Sequence, residues 1–519
     1  MSIRSLLKML SKPAQKKAVK RDSIDFPGDK TSLSNKIGDN VEWLANMLGN
    51  PPDLVTREIT IGTHKVTVVY SEALVEKNII NNLLYGLMID SNKSFIMQED
   101  LFNAVKEKIL NSGNIAEVTT LGKALEAITF GDSVVLFDGY TKALTLDTKS
   151  WAARAVEDSK IESTLRGPRD AFNENITTNL ALIRMRLKDP KLRVYRTFVG
   201  ERTNTALMIL YVEDIAKPEI FDELLQRIDK VEVDGVLGSG KLEQLIEDNI
   251  FSPFPQALFS ERPDKAVAHL LEGRYVILVD GTPFSLIVPV TMAQFLNSPE
   301  DYSDKWLTAS AVRLLRYAAV LMSMFLPAIY IALTTFHYHL IPSQLILPIA
   351  ESRAVVPFTP FTEAIIMELT LELLREAAIR LPSAVGQTVG VVGGIIVGNA
   401  AIQAGLFSPL LIIVVALTAI STFIIPNYNF GLAVRFVRFP IAIISSIFGG
   451  FGIIIAWIML TTHLVTLESF GVPYAAPFAP LRFSDLKDTI IKVHPSYMLK
   501  RPESARAQDK QRQVPKREN

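Results

Sequence analysis

Ionisable side chains set inside apolar sequence are the most costly groups in this chain, and they gather on one segment. Phe361–Arg380 places Glu368, Glu372, Arg375 and Glu376 among Ile365, Leu369 and Leu373. On an α-helix these four charges fall within about a third of the circumference. Glu368, Glu372 and Glu376 stack four residues apart, and Arg375 sits alone among them. Ionisable groups at membrane depth face a partner, a cavity or water. In a ring of identical chains the carboxylates would form stacked acidic rings, one way to build a cation pathway. The alternative is an interfacial helix with its charged face in water.

Other reactive patterns are weaker. Histidines stand at 64, 269, 337, 339, 463 and 494. His337 and His339 flank Tyr338, where they could sense pH or simply pack. Gly235-Val-Leu-Gly-Ser-Gly-Lys241 fits the first seven positions of a phosphate-binding loop, but Leu242 replaces the Ser or Thr that would hold magnesium. A glycine-rich turn leading into a helix is the plainer reading. Cysteine is absent, which removes disulfides, thiolate metal sites and cysteine nucleophiles. No nucleophile–base pair and no metal cluster emerges, so the expectation is a protein that is not an enzyme and carries no cofactor.

The elements that must hold the charged segment are membrane helices. Lys+Arg and Asp+Glu are both 54, a balance that gives no reason to expect nucleic acid as a partner. The mean hydropathy is +0.24 with 21% charged residues, so apolar residues are segregated. Tyr317–Phe336 is free of charge and about long enough to cross a bilayer. Arg313 and Arg316 mark its near end as cytoplasmic, and Pro327 predicts a kink. Leu381–Val434 has no charge, with a break at Gly405–Pro409 that predicts spans near Ala384–Ala404 and Pro409–Ile425; Phe439–Leu467 predicts another. Gly386, Gly390, Gly394 and Gly398 form three overlapping GxxxG steps, a face for close helix packing. If Phe361–Arg380 crosses, the spans number five and the C-terminus lies outside; if it lies in the interface or re-enters, they number four. Lys487, Lys492, Lys500 and Arg501 favour a cytoplasmic tail, whereas Arg435 and Arg438 pull the other way. No secretory signal precedes the spans, so the N-terminal domain is expected in the cytosol.

The N-terminal half carries a repeat. Lys123–Gly139 reads KALEAITFGDSVVLFDG and Lys265–Gly281 reads KAVAHLLEGRYVILVDG, at a constant offset of 142. Thr67–Glu72 and Met208–Glu213 match at an offset of 141. Each copy reads as helix, glycine turn, strand, Asp-Gly hairpin and strand, which predicts two duplicated α/β subdomains. Gly167, Pro168 and Arg169 are candidates for their junction, because Gly-Pro disfavours helix and Arg can tie carbonyls or carboxylates. The predicted division is a flexible basic tail over 1–35, cytosolic α/β subdomains over 36–166 and 167–305, a helical multi-pass membrane domain over 306–467, and a C-terminal tail over 468–519, disordered after about 501.

Several segments together resemble the GerA family of spore germination proteins, specifically its A subunit. They are Gly167-Pro168-Arg169 with Asp170-Ala171-Phe172, Phe361–Arg380 running into RLPSAVGQTVGVVGGIIVG, and the block SFGVPYAAPFAPLRFSDLKD. The likeness spans roughly residues 30 to 501. It implies a spore inner-membrane receptor complex with a transporter-like B subunit, which takes the nutrient, and a lipoprotein C subunit. It further implies an A subunit that assembles into an oligomeric nutrient-gated cation channel. A non-conducting scaffold or signal transducer is the alternative, and membrane lipid is a partner in either case.

Overall fold

The structure is a computed structural model, described here for residues 26–62, 64–89, 101–106, 115–149, 159, 162, 164, 166–380 and 400–513. Most of the basic tail, the glycine ladder at 386, 390, 394 and 398, and the span expected over Ala384–Ala404 up to residue 399 lie outside these residues. The chain forms two compact units. One contains the chain up to Glu247, then Ala257–Pro289, then the chain from His494; the other contains Asp248–Gln256 and Val290–Val493.

The first unit is the predicted duplication. Its first half has helix α1 (Ile37–Leu48), strands β1 (Leu54–Ile61) and β2 (His64–Ser71), and helix α2 (Lys77–Ile89). These are followed by β3 (Ile115–Val118), α3 (Leu121–Phe130), β4 (Ser133–Phe137) and β5 (Ala143–Leu146). The second half has α4 (Ile176–Arg186), β6 (Leu192–Val199), β7 (Thr205–Val212), α5 (Pro218–Asp229) and α6 (Ser239–Ile246). It ends with β8 (Leu258–Ser260), α7 (Pro263–Leu270), β9 (Tyr275–Val279) and β10 (Ser285–Val288). The sheets have the same order, β1-β2-β4-β5-β3 and β6-β7-β9-β10-β8, and all their pairings are antiparallel. The register repeats as well: Val66 faces Phe137 and Leu207 faces Val279.

Alternation explains why each sheet needs covering on both faces. In β4, Val135 and Phe137 join the core under α2, whereas Val134 and Leu136 join the core under α1 and α3. Helix α3 ends where Gly131 takes φ +92°, and the equivalent Gly273 takes φ +95°. At Gly273 an added Cβ would lie 3.1 Å from the Ile215 carbonyl oxygen. A second internal match was not visible in the repeat blocks. Asn40 and Asn179 are both buried, and each clamps the loop before its helix from both sides. Asn40 Nδ2 donates to the Ser34 carbonyl and its Oδ1 accepts from the Ser34 N–H; Asn179 does the same with Asn173.

The halves are joined by a buried ion pair. Arg184 Nη2 lies 2.8 Å from Asp53 Oδ1, and the Ser71 hydroxyl donates to Asp53 Oδ2 at 2.6 Å. The Gly167-Pro168-Arg169 segment, expected at the junction, is held by a residue that sequence reading did not single out. Arg262, 1% exposed, donates to the carbonyls of Glu162 and Pro168 and to the Thr164 hydroxyl. Arg169 itself is exposed, and its carbonyl accepts from the Ser159 N–H.

Chain beyond about 501, expected as disorder, is packed as far as residue 513. Gln508 binds Ile215 and Ala216 through its N–H and Nε2, and Arg501 Nε donates to the Leu271 carbonyl. Ala505 and Ala507 are buried, so small apolar residues in a charged tail supply the anchor. The expected boundaries at 305 and 468 also shift. The Val290 N–H donates to Ser469 Oγ and the Met292 N–H to the Tyr474 carbonyl, which draws both flanking segments into the helical unit.

That helical unit contains α8 (Trp306–Thr335), α9 (Ser343–Ala354), α10 (Pro360–Arg380), α11 (Pro409–Phe423) and α12 (Tyr428–Thr466). Helices α8 and α12 are long and apolar enough to cross a membrane, and α11 is a shorter apolar helix. Helix α12 is not one straight rod. Gly449 has φ +61° and ψ −138°, a conformation open essentially to glycine alone. Phe254 lies 5.8 Å from the Phe430 ring and 6.2 Å from the His463 ring, near opposite ends of α12. A straight helix would separate those ends by roughly 50 Å. The element is therefore a hairpin of two limbs that turns at Gly449, where sequence reading expected a single span over Phe439–Leu467. At the tip, the Gly450 N–H donates to His337 Nε2 at 3.0 Å, so His337 caps the turn.

Candidate functional site: a buried charged ladder in the helical unit

Helix α10 carries Glu363, Glu368 and Glu372 into the helical unit, where they meet arginines from other helices. At one end Glu363 is fully buried, and its Oε2 accepts from Arg353 Nη1 at 2.9 Å. Its Oε1 accepts from the Ser408 N–H, and Arg353 also reaches the Tyr330 hydroxyl at 2.8 Å. The Ser408 and Tyr330 hydroxyls are 3.0 Å apart, which closes the cluster.

Further along α10, Glu368 is 3% exposed and its Oε2 accepts from Arg438 Nη1. Arg438, on the first limb of α12, also donates to the Ser323 carbonyl at 2.7 Å, to Ser323 Oγ at 3.1 Å and to Thr422 Oγ1 at 2.9 Å. The Ser323 carbonyl is available because Pro327, four residues on, has no N–H to donate to it. The proline expected as a kink thus frees an acceptor for a buried guanidinium. Ser323 lies well inside the charge-free run of α8, so this pair sits deep within apolar helices.

Glu372 is half-buried. Its Oε1 binds Arg375 Nη1 at 2.7 Å and its Oε2 stands 3.6 Å from Arg435 Nη1. Glu376 is exposed and pairs with Arg380 at 2.6 Å. Arg375 also lies over the Phe423 ring at 5.3 Å. The carboxylates singled out from sequence therefore share one helix face but descend from buried to exposed along it. Two buried atoms of this network have no hydrogen-bond partner among the described residues, Glu368 Oε1 and Arg435 Nε. Counting Glu368 and Glu372 against Arg375, Arg435 and Arg438, the centre of the ladder carries one surplus positive charge.

Sequence reading assigned Arg435 and Arg438, like Arg313 and Arg316, to the membrane boundary. All four are buried. Arg313 and Arg316 both bind Asp301 Oδ2, at 3.0 and 2.7 Å, and Arg313 also binds Asp488. Glu363 and Arg353 were missed: Glu363 lies five residues before Glu368, about 140° round the helix and off the face that spacing picked out, and Arg353 lies outside the segment. The phosphate-loop look-alike is a closed turn: Lys241 Nζ donates back to the Gly235 carbonyl at 2.7 Å, and Thr203 packs against Gly235. His269 is half-buried and accepts from Arg274 Nη1 at 2.8 Å through Nδ1, and loss of solvation holds its pKa down at about 4. Among the described residues no group of three His, Cys, Asp or Glu comes together that could hold a metal ion.

The sequence matches the family of Bacillus/Clostridium GerA spore germination proteins over residues 42–504. It is 38% identical over 484 residues to spore germination protein KA of Bacillus subtilis (strain 168), which covers 93% of this chain and 89% of that protein. It is 36% identical over 475 residues to membrane protein YfkQ of the same organism, covering 91% of each. The crystal structure of the N-terminal domain of the A subunit of the Bacillus megaterium spore germinant receptor GerK3 is 32% identical, covers 50% of this chain and 96% of that one, and superposes with a TM-score of 0.41. The chain belongs to the GerA family of spore germination proteins, as one of its A subunits.

Proposed function

We propose that this chain acts as the A subunit of a nutrient-sensing germinant receptor and forms, as a homo-oligomer in the spore inner membrane, a nutrient-gated cation channel. It works there with a transporter-like B subunit and a lipoprotein C subunit, with its α/β unit and C-terminal tail on the cytosolic side. The observation that carries this reading is the ladder of charged residues on α10, whose members Glu363 and Glu368 are buried among apolar helices. Buried charges of this kind are costly and mark ion or proton paths more often than inert packing. With Glu368 and Glu372 engaged by Arg438, Arg435 and Arg375, the ladder's surplus positive charge repels cations. This is the closed state, and opening requires the carboxylates to leave their arginines. The glycine face at 386, 390, 394 and 398 supplies close helix packing within the membrane domain. The Gly167-Pro168-Arg169 segment couples the two α/β halves.

The same ion pairs favour one second reading. Because Glu368 and Glu372 are paired with arginines of the same chain, the helical unit can serve as a signal transducer that does not conduct. Nutrient-triggered cation flux through the reconstituted receptor separates the two, comparing the native chain with Glu368→Gln/Glu372→Gln at matched assembly. Altered selectivity or loss of flux in an intact complex supports conduction along α10. Unchanged flux and selectivity would remove α10 from the path.

A further inference from the structure

The helical unit includes one short segment far from its helices in sequence, Asp248–Gln256, and that segment has an apolar tip turned outward. Ile250 is 70% exposed and Phe251 90%. The tip is held in shape. Gln256 Oε1 accepts from the N–H groups of Asp248 and Asn249, each at 2.9 Å, and its Nε2 donates to the Asn249 carbonyl at 2.7 Å. The Phe251 N–H donates to Asn249 Oδ1 at 3.0 Å. Single exposed apolar side chains need no explanation, but two adjacent ones on a clamped turn are displayed by design of the backbone.

The position of the loop says what covers them. Phe254, 2% exposed, lies between Phe430 and His463, and Ser252 Oγ bonds His463 Nε2 at 2.9 Å. The loop thus grips the roots of both limbs of α12, the end opposite the Gly449 tip. From those roots the first limb continues an outward apolar face through Tyr428, Leu432, Phe436, Ile443 and Ile447, all exposed and all within about 100° of the helix circumference. If the limbs fill the hydrocarbon layer, their roots lie at its boundary, where aromatic and large apolar side chains partition into the headgroup region. We propose that Ile250 and Phe251 form an interfacial anchor that inserts into the lipid surface at the root of the α12 hairpin. This rests on the reading that the helical unit spans a membrane.

The absence of native cysteine makes the test direct. Single variants Phe251→Cys, Phe436→Cys and Glu58→Cys are labelled with a nitrobenzoxadiazole thiol dye. The full chain is then reconstituted in phosphatidylethanolamine/phosphatidylglycerol vesicles carrying lipid nitroxides, either near the headgroup or deep in the acyl chain. The expected result is blue-shifted emission at both 251 and 436, with 251 quenched most by the shallow nitroxide and 436 by the deeper one, while 58 reports water. Aqueous emission at 251 beside a lipid-embedded 436 overturns the anchor alone. Blue-shifted emission at 251 that no lipid nitroxide quenches also overturns it, because protein then covers the side chain. Aqueous emission at 436 overturns the membrane-spanning reading and the anchor together.

Discussion

Replacing Glu368 with Met strands one of the most enclosed guanidiniums in the protein. Arg438 is 3% exposed, and its remaining acceptors are the Ser323 carbonyl and the hydroxyls of Ser323 and Thr422, all neutral. A buried charge left without its counterion costs about 3–5 kcal/mol. Arg438→Met should cost a similar amount, since Glu368 Oε1 already lacks a partner and Oε2 would lose its donor. The double variant Glu368→Met/Arg438→Met removes both charges and keeps apolar volume. The Ser323 and Thr422 hydroxyls still satisfy one another at 2.7 Å, so most of the lost stability should return. Far-UV circular dichroism of the chain in mixed micelles, titrated with sodium dodecyl sulfate, reads all four corners of the cycle. Single variants that each cost less than about 1 kcal/mol and combine additively would refute the pairing, because independent sites add and coupled ones do not.

Other consequences are equally concrete. Asp53→Ala should cost about 3–5 kcal/mol by stranding buried Arg184 and removing the acceptor of Ser71, whereas Asp170→Ala, at a partly exposed pair with Arg186, should cost under about 1 kcal/mol in the same denaturant titration. Gly449→Ala forces a residue with a Cβ into φ +61° and brings that carbon to 2.9 Å from Phe336, so a loss of about 1–3 kcal/mol in the micelle titration is expected, with Gly450→Ala milder. Glu243 is pushed up to about 7, first by burial and then by Glu247. Its folded value lies above its ordinary one, so its neutral form stabilises the fold below about pH 4.5, and that contribution is lost as the pH rises to about 7; Glu243→Gln should remove a slope worth about 3 kcal/mol in total.

What the sequence revealed depended on whether the signal was local. The duplication was legible because its turns need glycine at fixed offsets, Gly131 with Gly273 and Gly139 with Gly281, and because strand alternation leaves a readable pattern. The repeated Asn clamps were not, since asparagine is common in loops and only burial separates Asn40 and Asn179 from the rest. The charged face of α10 was visible from spacing, but the identity of its partners was not. Arg438 lies 70 residues from Glu368, and a basic residue beside an apolar run reads equally well as a boundary marker. The hairpin in α12 hid for the opposite reason: its turn consists of glycines within an unbroken apolar run, where neither charge nor polarity announces a reversal. Pro327 was legible as a helix perturbation, yet its use, to free the Ser323 carbonyl for Arg438, required the neighbouring helix.

The central claim concerns conduction, and nutrient-triggered flux of monovalent cations tests it most directly. Vesicles are prepared with the complete receptor and with the B and C subunits alone, nutrient binding being verified in each. Flux that appears only when this chain is present, and only after nutrient is added, is the predicted result. Nutrient binding by the complete receptor without any cation flux would contradict the channel and leave this chain as a transducer.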